Sequence, residues 1–344
     1  MPGTQNRRVV VSSADDIAIE QIETPAPGPD EVLVRSSVVG ICGSDMHALH
    51  GKHPFVSLPM RPGHEVVGRV EAAGATVDGA LVGARVVLEP NLACGHCAQC
   101  RSGRYNICSE LQVFGCQTPG GMTDQFVIAA DRVVPLPDDL DDTWAALVEP
   151  AATPVHAVRR AGDLHGRRVV VLGAGPIGLF VLLAARRAGA AQVVVGDLVA
   201  SKRSRAERLG ADGSFDAAAP DAAAAATTAL GGAADVVFDC VSVASTVRLG
   251  IAVLAKGGLL MTVGVPTGPV LVDLDLVQDR ELGLLGNLMY VREDVLEAIE
   301  LLRAKPFDLA EVVTATFELD DAAAAFRAAE DPEQVKVLVT VGRS

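Results

Sequence analysis

Four cysteines fall within fifteen residues: Cys94, Cys97, Cys100 and Cys108. In a chain of 344 residues whose start, Met1 to Val11, reads as no secretory signal, such crowding points to a metal rather than to disulfides. Four thiolates from one short lobe, roughly residues 90–110, form the closed tetrahedral set of a structural zinc. The spacing of the first three cysteines also suits an iron–sulfur cluster. The ferredoxin run, however, brings its fourth cysteine after three residues and then a proline, whereas here seven residues intervene and Ser109 follows. Saturated by four sulfurs, this ion would fold the lobe and do no chemistry, and His96 inside it reads as a solvated loop residue.

A second, dispersed set has a different character. Cys42 lies in Gly40-Ile41-Cys42-Gly43-Ser44-Asp45-Met46-His47, followed by Pro62-Gly63-His64-Glu65 and, far downstream, Val148-Glu149-Pro150. One thiolate, one imidazole and carboxylates can hold a zinc that keeps a position open for substrate. His64 and Glu65 are adjacent, so in a regular strand they would point to opposite faces, and Glu65 and Glu149 both stand as candidates for the third ligand. His50 and His53 read as exposed loop histidines, and Cys116 and Cys240 as packing thiols.

A third constellation is Val169-Val170-Val171-Leu172-Gly173-Ala174-Gly175-Pro176-Ile177-Gly178. It reads as strand, turn and helix start. Gly173 permits the tight turn, Gly175 lets the backbone approach a pyrophosphate, and Gly178 allows close helix–strand packing. Pro176 suits the first helical turn, where no N–H is needed, and the helix N-terminus faces the phosphates. Asp197 follows Gly178 by 19 residues, the place of the acid that accepts the adenosine ribose hydroxyls. Its charge favours NAD over NADP, although Lys202 and Arg203 stand near it. Val263, ending a later strand, joins the cofactor-contacting set.

These groups need two kinds of scaffold. Residues 1 to about 150 carry short β-branched runs at Val32–Val39, Val66–Val70, Arg85–Leu88 and Phe126–Ile128, punctuated by Gly, Pro and Asp. From about 165, strands at Val169–Leu172, Gln192–Val195, Asp235–Asp239, Leu259–Val263 and Leu282–Leu285 alternate with helices, the first running to Ala188. That alternation implies an α/β parallel sheet covered on both faces. The Ala-rich stretch 217–230 reads as a surface helix. Val295, Leu296, Ile299 and Leu302 form a helical stripe, and Val335–Val341 reads as a last strand.

Composition limits the partners. Apolar residues are 49% and charged residues 21%, as in a soluble globular chain. The formal charge of −14 repels nucleic acid. The longest near-apolar run, Val169–Ala185, has 17 residues, short of the ~20 of a spanning helix. The thiols suit a reducing cytoplasm.

Taken together and in this order, the 40–47 block, Pro62–Glu65, the four-cysteine lobe, Glu149-Pro150 and the glycine turn resemble the zinc-dependent medium-chain dehydrogenases, especially the sorbitol, butanediol and threonine dehydrogenase branch. The resemblance spans nearly the whole chain. It implies a GroES-like β-rich catalytic domain over 1–150, a Rossmann doubly wound NAD-binding domain over 151–287 and a return to the catalytic domain over 288–344. It implies a catalytic zinc on Cys42 and His64, with Glu65 or Glu149 completing the shell, and a proton relay from Ser44 to His47 in the loop beside Cys42. The reaction implied is hydride transfer from an alcohol to NAD, giving the ketone. Sorbitol dehydrogenases carry Phe-Arg-Tyr where this chain has Leu288-Met289-Tyr290. Loss of that guanidinium removes five donors and favours a smaller secondary alcohol, diol or hydroxyketone, as in butanediol dehydrogenases. Threonine dehydrogenase chemistry is the runner-up. A non-catalytic zinc- and NAD-binding member and a zinc-free quinone reductase are the other classes. Members are often tetramers, and a homo-oligomer, tetramer or dimer, is expected.

Overall fold

A computed structural model describes residues 5–266 and 268–342. The chain divides into two compact units, one formed by Met1–Glu149 with Val291–Ser344, the other by Pro150–Tyr290.

The first unit is built on a seven-stranded sheet. Its path runs Val313–Glu318, Lys336–Thr340, Glu31–Ile41, Glu65–Ala73, Arg85–Leu88, Val133–Pro135, and Gln125–Ala129 also pairs with the long strand Glu31–Ile41. Pairing is antiparallel except between the two C-terminal strands. Val32, Val34, Val39, Val66, Val86, Met122, Phe126, Phe326 and Val339 are among the side chains that fill its core. A hairpin, Gln5–Ser13 with Asp16–Glu23, lies in its own two-stranded sheet. The hairpin and the strand Val313–Glu318 were not foreseen. Glu, Gln, Arg and Thr interrupt their apolar positions, because each strand keeps one face half exposed.

The second unit is a six-stranded, all-parallel sheet in the order Gly213–Asp216, Gln192–Asp197, Arg168–Leu172, Ala234–Asp239, Leu254–Thr262, Gly283–Gly286. Numbered within the unit this is 3-2-1-4-5-6, the doubly wound order, whose direction reverses between Arg168–Leu172 and Ala234–Asp239. Both central strands are sealed on two faces: Val169, Val170, Val171 and Leu172 have no exposure, nor have Val237 and Phe238. That burial explains why these strands read as unbroken apolar runs.

Two helical readings need correction. Leu296 is 48% exposed, while Val295, Ile299 and Leu302 on the helix Arg292–Arg303 are buried together with Ala298 and Leu301, so the apolar face passes Leu296 by. The Ala-rich segment is not a bland surface helix. In Ala222–Ala229 and the residue following it, Ala222, Ala226 and Leu230 are packed into the core of the second unit, a pattern hidden by alanine on both faces. Among the described residues no helix is long and apolar enough to cross a membrane.

Candidate functional site

In the first unit the strand Glu31–Ile41 ends and Cys42 caps the helix Gly43–Leu49. The Cys42 amide donates to Asp45 Oδ2 at 2.9 Å, so the turn is closed from within and the thiol is held at the helix start. Ser44 and His47 therefore stand on a helix, not in a loop, three residues apart and so on the same face. Ser44 Oγ is buried and has no hydrogen-bond partner, while His47 is exposed.

His64 arrives just ahead of the next strand. Gly63 has φ +113, and a Cβ there would lie 2.3 Å from Met122 N, so only glycine permits the bend. The strand Glu65–Ala73 begins one residue after His64. Since His64 precedes the pleat, the expectation that adjacent His64 and Glu65 face apart does not hold. One ligand atom each from Cys42, His64 and Glu65 lies within 4.8 Å of the others. Opposite Glu65 in the ladder stands Gly40, where a Cβ would sit 1.9 Å from Glu65 Oε2. The glycine of the 40–47 block thus makes room for the carboxylate. Glu149, buried in the first turn of the helix Val148–Ala161, is not in this group.

Sequence reasoning missed three neighbours of the site. Asp45 is buried, its Oδ1 3.9 Å from His64 Nδ1; burial raises its pKa, against the pull of the His64 charge. Cys116, read as a packing thiol, has its Sγ 3.9 Å from His64 Nδ1. Lys336 is buried, its Nζ donating to both Glu65 oxygens at 2.6 and 2.8 Å. Asp45 had a local signal, a carboxylate three residues after a helix cap. Cys116 and Lys336 had none, since they arrive from distant sequence. Burial alone would lower the His64 pKa, but the charges of Cys116 and Asp45 outweigh it and raise it well above the usual value.

The four-cysteine lobe fits a tetrahedral ion. Cys97 Sγ lies 3.5 Å from Cys100 Sγ and 3.9 Å from Cys108 Sγ, and Cys94 Sγ lies 3.9 Å from Cys100 Sγ. Bonds of ~2.3 Å to a central zinc place sulfurs about 3.8 Å apart, far beyond a disulfide. All seven cysteines are free. The amides of Cys94 and Glu110 donate to Cys108 Sγ, and those of Cys97 and Cys100 to Cys94 Sγ and Cys97 Sγ. The Cys97 thiol is lowered to about 5 by the backbone amides of Cys100 and Ser109. His96 is 69% exposed.

In the second unit, Gly173 has φ +96 and its amide donates to Gly196 O at 2.7 Å. Gly175 caps the helix Pro176–Arg187, with Pro176 in its first turn and Ile177 beside it. A Cβ on Gly178 would lie 1.8 Å from Gly173 O. Asp197 ends its strand with Oδ2 accepting from Ala174 N at 2.7 Å and Oδ1 from Val199 N at 2.9 Å. The acid is therefore bonded to the glycine turn itself. Arg203 Nη1 donates to the carbonyls of Asp197 and Leu198, at 2.9 and 3.0 Å. Val263 is buried just past its strand, and its amide donates to Asp239 O. Tyr290, in the segment compared with the sorbitol dehydrogenase triplet, has no exposure.

Comparison with known proteins finds a match for each part of the chain. Residues 28–138 match the alcohol dehydrogenase GroES-like domain and residues 176–304 the zinc-binding dehydrogenase family. Sorbitol dehydrogenase of Ovis aries is 36% identical, over 98% of this chain and 97% of its own. A solved zinc-binding dehydrogenase of Sinorhizobium meliloti 1021, bound to NADP, has a TM-score of 0.90 at 32% identity, covering 98% of this chain and 99% of that one. The 2R,3R-butanediol dehydrogenase of Bacillus subtilis has a TM-score of 0.89 at 29% identity, covering 98% and 100%. With the glycine turn, the four-cysteine lobe and the Cys42 block each on the scaffold they require, the chain belongs to the zinc-dependent medium-chain alcohol dehydrogenases.

Proposed function

We propose that this enzyme oxidises a small secondary alcohol, diol or polyol to its ketone with NAD, using a zinc held by Cys42, His64 and a carboxylate. The observation that carries this reading is the convergence of half-buried Cys42 and buried His64 and Glu65 from two strand ends into one group. Three donors leave a tetrahedral ion one free corner, the arrangement of catalytic rather than structural sites. When bound, zinc supplies Lewis-acid polarisation of the substrate oxygen.

The protein's own groups do the rest. Ser44 relays the hydroxyl proton, receiving it at its buried, unpartnered Oγ as it gives up its own toward His47. His47, on the same helix face and exposed, passes that proton to solvent. Asp45 fixes the cap that holds Cys42. Gly175 and the amides opening Pro176–Arg187 take the pyrophosphate, and Asp197 takes the ribose hydroxyls. Arg203 is committed to backbone carbonyls, which leaves Asp197 to repel a 2′-phosphate, hence NAD rather than NADP. Met289, which stands where the triplet of the sorbitol enzymes has its arginine, supports a substrate less polar than sorbitol.

The chain works as a homo-oligomer in a reducing cytoplasm. The edge strand Gly283–Gly286 exposes Leu284 and Leu285, each 39% accessible, beside unpaired backbone groups. A second copy adding its own edge strand would cover them. The seven free thiols suit a reducing compartment.

The test is a panel of secondary alcohols, diols and polyols with NAD and with NADP, following nicotinamide reduction by zinc-loaded protein. Turnover of small diols with NAD is expected. No turnover of any alcohol at full zinc occupancy would instead support a non-catalytic member.

A further inference from the structure

The four-cysteine lobe carries two further donors that a closed tetrahedral ion does not use. His96 lies between Cys94 and Cys97, and Glu110 two residues after Cys108. Gly95, at φ +75, makes the left-handed turn between Cys94 and His96. On the other arm, the Glu110 amide donates to Cys108 Sγ at 3.3 Å. The two side chains meet at 69% and 63% exposure, His96 Nε2 lying 3.9 Å from Glu110 Oε1. One ligand atom each from Cys94, His96 and Glu110 lies within 4.8 Å of the others. Cys94 therefore belongs to two donor sets, one with Cys97, Cys100 and Cys108, the other with His96 and Glu110.

A separation of 3.9 Å is too long for a hydrogen bond, and an exposed ion pair contributes little. A nitrogen and an oxygen bound to one zinc at ~2.0–2.1 Å stand about 3.4 Å apart, a spacing that small rotations of two exposed side chains reach. The outer set is also chemically that of an open zinc site: one thiolate, one imidazole, one carboxylate and a corner left to water. The inner set has no such corner, and Cys108 is buried. A hydrated ion on its way to four sulfurs must lose its water to donors nearer the surface. We propose that Cys94, His96 and Glu110 form a zinc entry site, which captures the ion from solvent and passes it to the four thiolates through Cys94. Oxygen and nitrogen ligands give way to sulfur one at a time while Cys94 stays bound. The protons of thiols that become ligands go to water, and no electron moves. Release follows the same steps in reverse. The inference rests on the reading of the four-cysteine lobe as a zinc site.

The experiment keeps the protein folded and loaded. Full-length Cys42→Ala, holding the lobe ion, is mixed with isotopically labelled zinc. Exchange of bound for free label is followed by mass spectrometry over a range of free zinc concentrations. A thiolate sulfur has lone pairs for two metals, so a second ion can settle on the outer donors before the first leaves. Exchange should therefore accelerate with free zinc and level off as His96 and Glu110 fill. His96→Ala and Glu110→Gln should each slow exchange at high zinc about 10–100-fold, the range that groups beside a ligand shell commonly control, and should flatten its dependence on zinc. Zinc content and melting temperature should match the parent, since both side chains are exposed.

Exchange that does not depend on free zinc in the parent, or variants that keep its rate and its concentration dependence, would overturn the proposal. Should Cys42→Ala keep two ions or fail to fold, the comparison is made in the wild-type background, on the phase that Cys97→Ala abolishes. A chain in which Cys97→Ala removes no ion defeats the reading of the lobe itself, and counting zinc separates that result from the others.

Discussion

Gly178 and Gly175 belong to one motif but serve it in physically separable ways. A Cβ on Gly178 would stand 1.8 Å from Gly173 O and 2.9 Å from Gly173 C, both backbone atoms. Contacts below 3.0 Å are essentially never seen for a real Cβ, so Gly178→Ala must push the turn away by more than an ångström. Two bonds of about 2.7 Å hold that turn, Gly173 N to Gly196 O and Ala174 N to Asp197 Oδ2. Overpacking costs ~1–3 kcal/mol, and one buried amide left unpaired adds ~1–3 kcal/mol. Urea unfolding should therefore show a loss of roughly 2–6 kcal/mol on those two terms. Gly175 is different: nothing lies within 4 Å of its would-be Cβ, and its φ of −75° suits any residue. Gly175→Ala should keep stability within about 1 kcal/mol, the scale of a capping change, yet lose NAD affinity at least tenfold. Calorimetric titration with NAD reads the second effect. Wild-type NAD affinity in Gly175→Ala would refute the claim that this backbone approaches a phosphate, and wild-type stability in Gly178→Ala would refute the packing argument.

Cys42→Ala should abolish turnover and remove one zinc without unfolding the chain, whereas Cys97→Ala should lower the melting temperature by several degrees, because its thiolate organises the lobe; metal analysis and calorimetry separate the two. Asp197→Ala removes the acceptor of the Ala174 amide, and should weaken NAD about tenfold while weakening NADP less, so that the ratio of the two dissociation constants falls. An unchanged ratio would show that the carboxylate does not face the ribose. Burial of Asp124 would raise its pKa, but hydrogen bonds and charge from Arg7 outweigh it and set the pKa below the usual value. Its stabilising share is then complete above the ordinary ~3.9 and is lost as pH falls through the lower folded value. Melting temperatures across that acid window should fall more steeply in wild type than in Asp124→Asn, and equal slopes would reject the pairing.

How much could be read from sequence follows from how far apart the interacting groups lie along the chain. The four-cysteine set spans fifteen residues, so its spacing displays its geometry, and the glycine turn is contained in one strand–helix junction. The buried strands of the second unit showed themselves as unbroken valine runs, whereas the half-exposed hairpin Gln5–Glu23 alternates too weakly to stand out. Chemistry at the Cys42 site is assembled across the sheet instead. Lys336 reaches Glu65 from 271 residues away, and Cys116 reaches His64 from 52. Neither residue type announces such a contact, because a lone lysine is ordinarily solvated and a lone cysteine ordinarily packs. Even the Glu65 side chain misled, since strand alternation applies only once the strand has begun, and His64 stands one residue before it. The glycine at 40 was the visible trace of this assembly: it occupies a strand interior, where glycine weakens pairing, and such a residue marks the close approach of another group. Here that group is the Glu65 carboxylate, whose Oε2 would lie 1.9 Å from any Cβ at position 40, so a side chain there would close the space in which Glu65 meets Lys336.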